Sequence, residues 1–113
     1  MATTTRKRFL TICEGGAVRS VSLATVLRWD FQQDAIPLSA AKNGPEAVDL
    51  LCAWADYIIL MQPTFLTVVP KRFHLKIRVL DVGPDVWGNP MHPKLRDIVG
   101  TEAQKWKDRE WLI

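Results

Sequence analysis

The tightest constraint in this sequence is the run "YIILM", residues 57–61, five consecutive apolar positions that Pro63 closes. A strand with one wet face alternates apolar and polar residues; this one does not. It therefore reads as a strand covered on both faces, the situation of a parallel strand between helices. The surrounding chain supplies the partners. "RFLTI" (8–12) is β-prone and ends at Cys13, with Gly15 and Gly16 just beyond. From Ser20 onward Val21, Ala24, Leu27 and Phe31 fall at helical spacing. Residues 34–45 read as a short second strand and a loop. "NGPEAVDLLCAWAD" (43–56) reads as a second helix with Pro45 in its first turn. Val48, Leu51, Cys52 and Ala55 line one face of it, which makes Cys52 a packing residue.

The remaining third is more mixed. Residues 64–75 are compatible with a short helix, a strand or a packed loop, and Pro70 argues against one long element. "KIRVLDV" (76–82) predicts a strand, and "GPDVWGNPMHP" (83–93) a loop. A helix begins near Pro93, with Leu95, Ile98 and Val99 on one face and Gly100 expected to break or cap it. Thr101 and Gln104 then suit a capping box for a final helix carrying Trp106. Alternating strands and helices predict an α/β three-layer sandwich, with about four parallel strands flanked by helices, as a single domain over 1–113. Ligands of such sheets bind beyond the carboxyl ends of the strands. Cys13 stands at one such end, and Asp81 and Asp85 at or past another.

Composition removes several function classes. A net charge of +3 allows an anionic ligand without demanding nucleic acid, because the one dense basic run, Arg6-Lys7-Arg8, reads as a solvated lead-in. Two cysteines make no disulfide framework, which points to a reduced compartment. No apolar run reaches the length of a membrane span, and "MATTTRKRFLTIC" lacks a signal-peptide core. The expectation is a cytoplasmic protein that binds neither nucleic acid nor membrane, with its oligomeric state open. His74 and His92 sit apart, without paired cysteines, so no metal site or cofactor is expected. Trp29, Trp54, Trp106 and Trp111 fall on helical stretches, where packing is the default, although Trp111 is also placed to serve a partner.

The chemistry concentrates in Cys13-Glu14-Gly15-Gly16-Ala17-Val18-Arg19-Ser20. A loop of this length between a strand and a helix can curl until its backbone N–H groups face inward. Together with the helix N-terminus they form an oxyanion cradle. The same field stabilises a thiolate at Cys13. Arg19 closes the ring with a guanidinium that can grip two phosphate oxygens, Ser20 offers a hydroxyl to the sulfur, and the glycines supply unusual backbone angles. Taken alone, the loop is equally compatible with a buried cysteine, a turn and a surface arginine. "DVGPDVWG" (81–88) adds a carboxylic acid that phosphoryl transfer from an ester needs for its leaving oxygen.

Together these features resemble the low-molecular-weight protein tyrosine phosphatases, whose signature is Cys-x-Gly-Asn-x-x-Arg-Ser near the N-terminus and whose acid lies in an Asp-Pro-Tyr segment. A short branch of that family is more similar still. "WADYIILM" (54–61), "LDVGPD" (80–85) and "MHPKL" (91–95) match its motifs in order, over about Phe9 to Val99. The resemblance implies Cys13 as nucleophile of a cysteinyl-phosphate intermediate and Arg19 as the phosphate-binding, transition-state-stabilising residue. It implies Ser20 as support for the thiolate, Asp85 as general acid and then base, and Trp87 as an aromatic wall for the substrate. The substrate would be a phosphorylated protein or a small phosphate ester.

There are departures from the pattern. Gly16 replaces an asparagine that fixes the loop, Glu14 adds a negative charge, and Val18 stands where many members carry a second cysteine. An arsenate reductase would need further resolving cysteines, and Cys52 alone remains. The main rival is a catalytically weak binder of a phosphorylated small molecule or nucleotide using the same loop. A third reading is an interaction module with a vestigial pocket.

Overall fold

The computed structural model describes residues 6–15, 17–84 and 86–109. Four strands, β1 (Arg8–Cys13), β2 (Asp34–Ser39), β3 (Tyr57–Leu60) and β4 (Ile77–Val79), form one all-parallel sheet in the order β2-β1-β3-β4. Three helices, α1 (Arg19–Trp29), α2 (Pro45–Trp54) and α3 (Pro93–Asp108), flank it. The chain steps from β1 outward to β2, then returns across β1 to β3. Right-handed crossovers in opposite directions set α1 and α2 on opposite faces, and α3 packs beside α1. β1 is accordingly buried on both faces from Phe9 to Cys13, and Ile58, Ile59 and Leu60 of β3 are fully buried. The "YIILM" run is thus the doubly covered strand its composition demanded.

Phe9 and Tyr57, paired in register across β1 and β3, stack at 5.3 Å. Trp106 of α3 lies parallel to Phe9 at 6.1 Å. This ladder fastens the last helix to the amino end of the sheet. On the other face Lys76 donates to the carbonyls of Cys52 (3.0 Å), Ala53 (3.3 Å) and Ala55 (2.7 Å). A cation on the last carbonyls of α2 satisfies acceptors that the helix leaves open and complements its dipole. Cys52 is fully buried beneath this cap. Burial pushes its thiol pKa up, with Lys76 opposing weakly, so Cys52 is a packing residue as the helix face predicted.

Several expectations need correction. Gly100 neither breaks nor caps a helix, and Thr101 and Gln104 form no capping box: α3 runs unbroken for 16 residues. Leu95, Val99, Ala103 and Trp106 continue one buried stripe through the glycine, and that packing outweighs the ~1 kcal/mol propensity cost of one glycine. Ile98 lies beside the stripe and is exposed. A methyl group at Gly100 would meet nothing within 4 Å. Gly100→Ala is therefore expected to stabilise the protein by about 0.5–1 kcal/mol, read as a rise in the urea midpoint at unchanged slope.

β4 has three residues rather than the seven of "KIRVLDV". After Met61 the partner chain turns away at Pro63, and only isolated bonds, Leu80 N–H to Leu60 O (2.9 Å) and Val82 N–H to Met61 O (3.4 Å), continue the pairing. Residues 64–75, compatible with a short helix, a strand or a packed loop, fall in two 3-10 turns, Pro63–Val68 and Lys71–Lys76, divided at Pro70. In α1, Leu23, Ala24, Val26 and Leu27 are the buried apolar residues, whereas Val21 is only half-buried. That buried set stops at Leu27, which leaves Trp29 exposed; Trp106 is buried, and Trp111 lies outside the described residues.

Candidate functional site

The strand order creates a switch point. From β1 the chain leaves to one side and β3 sits on the other, and ligands of such sheets bind beyond the carboxyl ends of the strands at this place. Cys13 is the last residue of β1, and Gln62 follows the end of β3. The exit of β2 pins the loop after Cys13. Ala40 N–H donates to Cys13 O (2.8 Å), and Glu14 O accepts from Ala41 N–H (3.1 Å) and from the Ser39 hydroxyl (2.7 Å). A trans peptide points its N–H opposite its C=O. With both carbonyls drawn toward β2, the N–H groups of Glu14 and Gly15 point away from it.

The far wall is the start of α1. Thr11 Oγ1 donates to Ser20 O at 2.8 Å and locks the helix to β1. The Cys13 Sγ and Ser20 Oγ lie 3.0 Å apart, and Ser20 N–H reaches the sulfur at 3.4 Å. Val18 precedes the helix without a side-chain cap, and no acidic residue stands in the first turn. Cys13 therefore faces a hydroxyl, a helix N–H and the amino end of α1.

Arg19 is 1% exposed, which makes it the largest fully buried side chain described. Its Nη1 donates to Gln62 Oε1 (2.7 Å) and to Gly83 O (2.8 Å), and the guanidinium lies 5.7 Å from the Phe65 ring centroid. Its Nε is buried with no hydrogen-bond partner. Gly83 has φ +78°, a left-handed conformation that suits glycine, and its N–H donates to Asp81 Oδ1 at 2.9 Å. Asp81 is thus a turn-former that aims the Gly83 carbonyl at Arg19.

Cys13 meets Ser20, while Arg19, the first residue of α1, sends its side chain to Gln62 and Gly83. Glu14 and Ala17 are exposed, and Val18 is half-buried. Gly15 does not use a left-handed angle: pinning of the neighbouring carbonyls shapes this part of the loop. Gly16 and Asp85 lie outside the described residues. Trp87 is half-buried and meets His92 edge-on at 5.2 Å, while His92 Nδ1 accepts from Lys94 N–H to cap α3. His74 bonds Val69 O at 2.9 Å. Among the described residues, no cluster of three or more metal-ligating side chains occurs. Gln62, Gly83 and Phe65 escaped the sequence reading. The one signal for Gln62 is its place directly after a buried strand, and its use depends on β3 lying beside β1.

The parallel sheet in this order, flanked by helices and with Cys13 at the end of its first strand, has the α/β fold of the low-molecular-weight tyrosine phosphatases. Solved structures of that fold superimpose over nearly the whole chain. Vibrio vulnificus Wzb, in complex with benzylphosphonate, matches with a TM-score of 0.70 at 15% identity, covering 93% of this chain and 99% of that one. The tyrosine phosphatase Wzb of Escherichia coli K30, in complex with phosphate, gives 0.69 at 15% identity with the same coverage. The Erwinia amylovora tyrosine phosphatase AmsI gives 0.70 at 12% identity over 96% of each chain. No protein-family model and no curated protein matches the sequence.

Proposed function

We propose that this chain is a phosphomonoester hydrolase, acting on aryl phosphates such as phosphotyrosine through a cysteinyl-phosphate intermediate. The observation that carries the proposal is the pairing of Cys13 Sγ with the α1 N-terminus beside a buried arginine whose Nε has no partner. In the first step the Cys13 thiolate attacks phosphorus, the ester P–O bond breaks, and Asp85 gives its proton to the leaving oxygen. Arg19 and the loop N–H groups take up charge on the equatorial oxygens. In the second step Asp85, now a carboxylate, accepts a proton from water. That water attacks phosphorus, the S–P bond breaks, and the thiolate returns. Trp87 flanks the substrate ring in this reading. Two structures of the same fold are complexes of Wzb with phosphate and with benzylphosphonate, which supports a phosphorylated and aromatic substrate class for this chain. A single domain over 1–113 and a cytoplasmic location belong to the same proposal; neither Cys13 nor Cys52 forms a disulfide.

The test is turnover of an aryl phosphate by wild type, Cys13→Ser and Asp85→Asn. Wild type is expected to exceed Cys13→Ser by several orders of magnitude. Asp85→Asn is expected to lose about 100-fold or more on an ester with a poor leaving group, and much less on a nitrophenyl ester, whose leaving oxygen needs no proton. Equal turnover by wild type and Cys13→Ser ends the hydrolase reading. Tight binding of a phosphorylated metabolite would then favour a ligand-binding role for the loop.

A further inference from the structure

We propose that Gln62 is a positioning residue that holds Arg19 in a neutral clasp, leaving the full guanidinium charge for the incoming oxyanion. The proposal rests on the phosphate-binding part of the reading above. Buried arginines are ordinarily paired with carboxylates. Arg19 is not: among the described residues its partners are an amide oxygen, a backbone carbonyl and the face of a phenyl ring, and no carboxylate forms a salt bridge with it. A neutral acceptor orients a guanidinium without cancelling its charge.

The clasp is also directional. Both hydrogen bonds go to Nη1, while Nε is buried and unpartnered. The edge of the fork that carries Nε and Nη2 is therefore the one offered to an anion, in the bidentate manner a phosphate accepts. Gln62 is suited to this role by its surroundings. Its backbone is extended at the exit of β3, and its carbonyl accepts from Phe65 N–H at 3.2 Å. Its side chain makes no cap for the following 3-10 turn and reaches Arg19 instead. Because arginine has only donors, the amide must present its oxygen there. Gly83 supplies the second acceptor, so β3 and the loop after β4 grip one nitrogen between them.

A residue that merely filled space would give stability and anion affinity losses of the same sign. The clasp predicts opposite signs for Gln62→Glu. A carboxylate at this position gives the buried arginine a counter-ion and sets a negative charge beside the anion. In phosphate-free buffer the variant is expected to melt at or above the wild-type temperature. Its dissociation constant for inorganic phosphate, measured by calorimetry, is expected to rise at least about tenfold, since like charges in close contact are costly. Gln62→Met, similar in volume and without an acceptor, is expected to weaken phosphate several-fold by freeing the guanidinium. Phosphate binding by Gln62→Glu within about twofold of wild type overturns the clasp, as does a wild type that binds no phosphate at millimolar concentration. Wild type that binds phosphate but hydrolyses nothing loses the hydrolase reading alone, and the clasp stands if Gln62→Glu still weakens that binding.

Discussion

Arg19→Lys is expected to lower kcat/KM on an aryl phosphate by about a thousandfold, equivalent to about 4 kcal/mol of transition-state stabilisation. Lysine preserves the charge, so a purely Coulombic role would survive the change. The geometry would not. The guanidinium uses one nitrogen for Gln62 and Gly83, its Nε has no partner, and in the proposed mechanism that other edge takes the anion. A single ammonium cannot satisfy two acceptors on one side and also span two phosphate oxygens on the other. The loss should appear in kcat as well as in KM, because the fork is matched to the planar equatorial oxygens that exist only in the transition state. Steady-state kinetics together with a thermal melt check this. A kcat within about tenfold of wild type in a folded Arg19→Lys protein would show that charge alone suffices.

The largest effect on stability is expected at the other end of the sheet. Trp106 is 2% exposed and lies flat against Phe9, which in turn stacks on Tyr57. Trp106→Ala removes the widest link of this ladder and leaves a cavity between α3 and β1. The expected cost is about 3–5 kcal/mol, a fall in Tm on the order of 15 °C for a chain of this size. Phosphate affinity measured well below that Tm should stay near wild type. Phe9 and Cys13 are separated by most of the length of β1, so the cavity opens on the order of 13 Å from the sulfur. Calorimetric melting and phosphate titration of the same sample separate the two effects. A large loss of affinity at low temperature would mean that α3 and the anion site are coupled.

Much of this architecture was legible from local pattern. The unbroken apolar run at 57–61 required cover on both faces, and the structure covers it. Pro45 opens α2 as its place in the sequence implied. The Cys13-to-Ser20 spacing placed a cysteine, an arginine and a hydroxyl around one strand-to-helix turn, because such a loop has few ways to close. Gly100 misled because helix propensity is a local quantity worth ~1 kcal/mol. The stripe of Leu95, Val99, Ala103 and Trp106 is a tertiary quantity, and it is larger. "KIRVLDV" misled for a related reason: a strand needs a partner, and the partner chain turns away after Met61.

Local chemistry in the sequence placed a cysteine, an arginine and a helix N-terminus in one turn of this chain, since all three lie within eight consecutive residues. Only the tertiary structure decided how the cation is held. Arg19 and Gln62 are 43 positions apart, and Arg19 and Gly83 are 64 apart. No local pattern records that β3 lies beside β1, or that the loop after β4 folds back over α1. The sheet order makes those positions neighbours, and burial then makes a neutral amide and a backbone carbonyl sufficient to aim a charge that water would otherwise have dispersed.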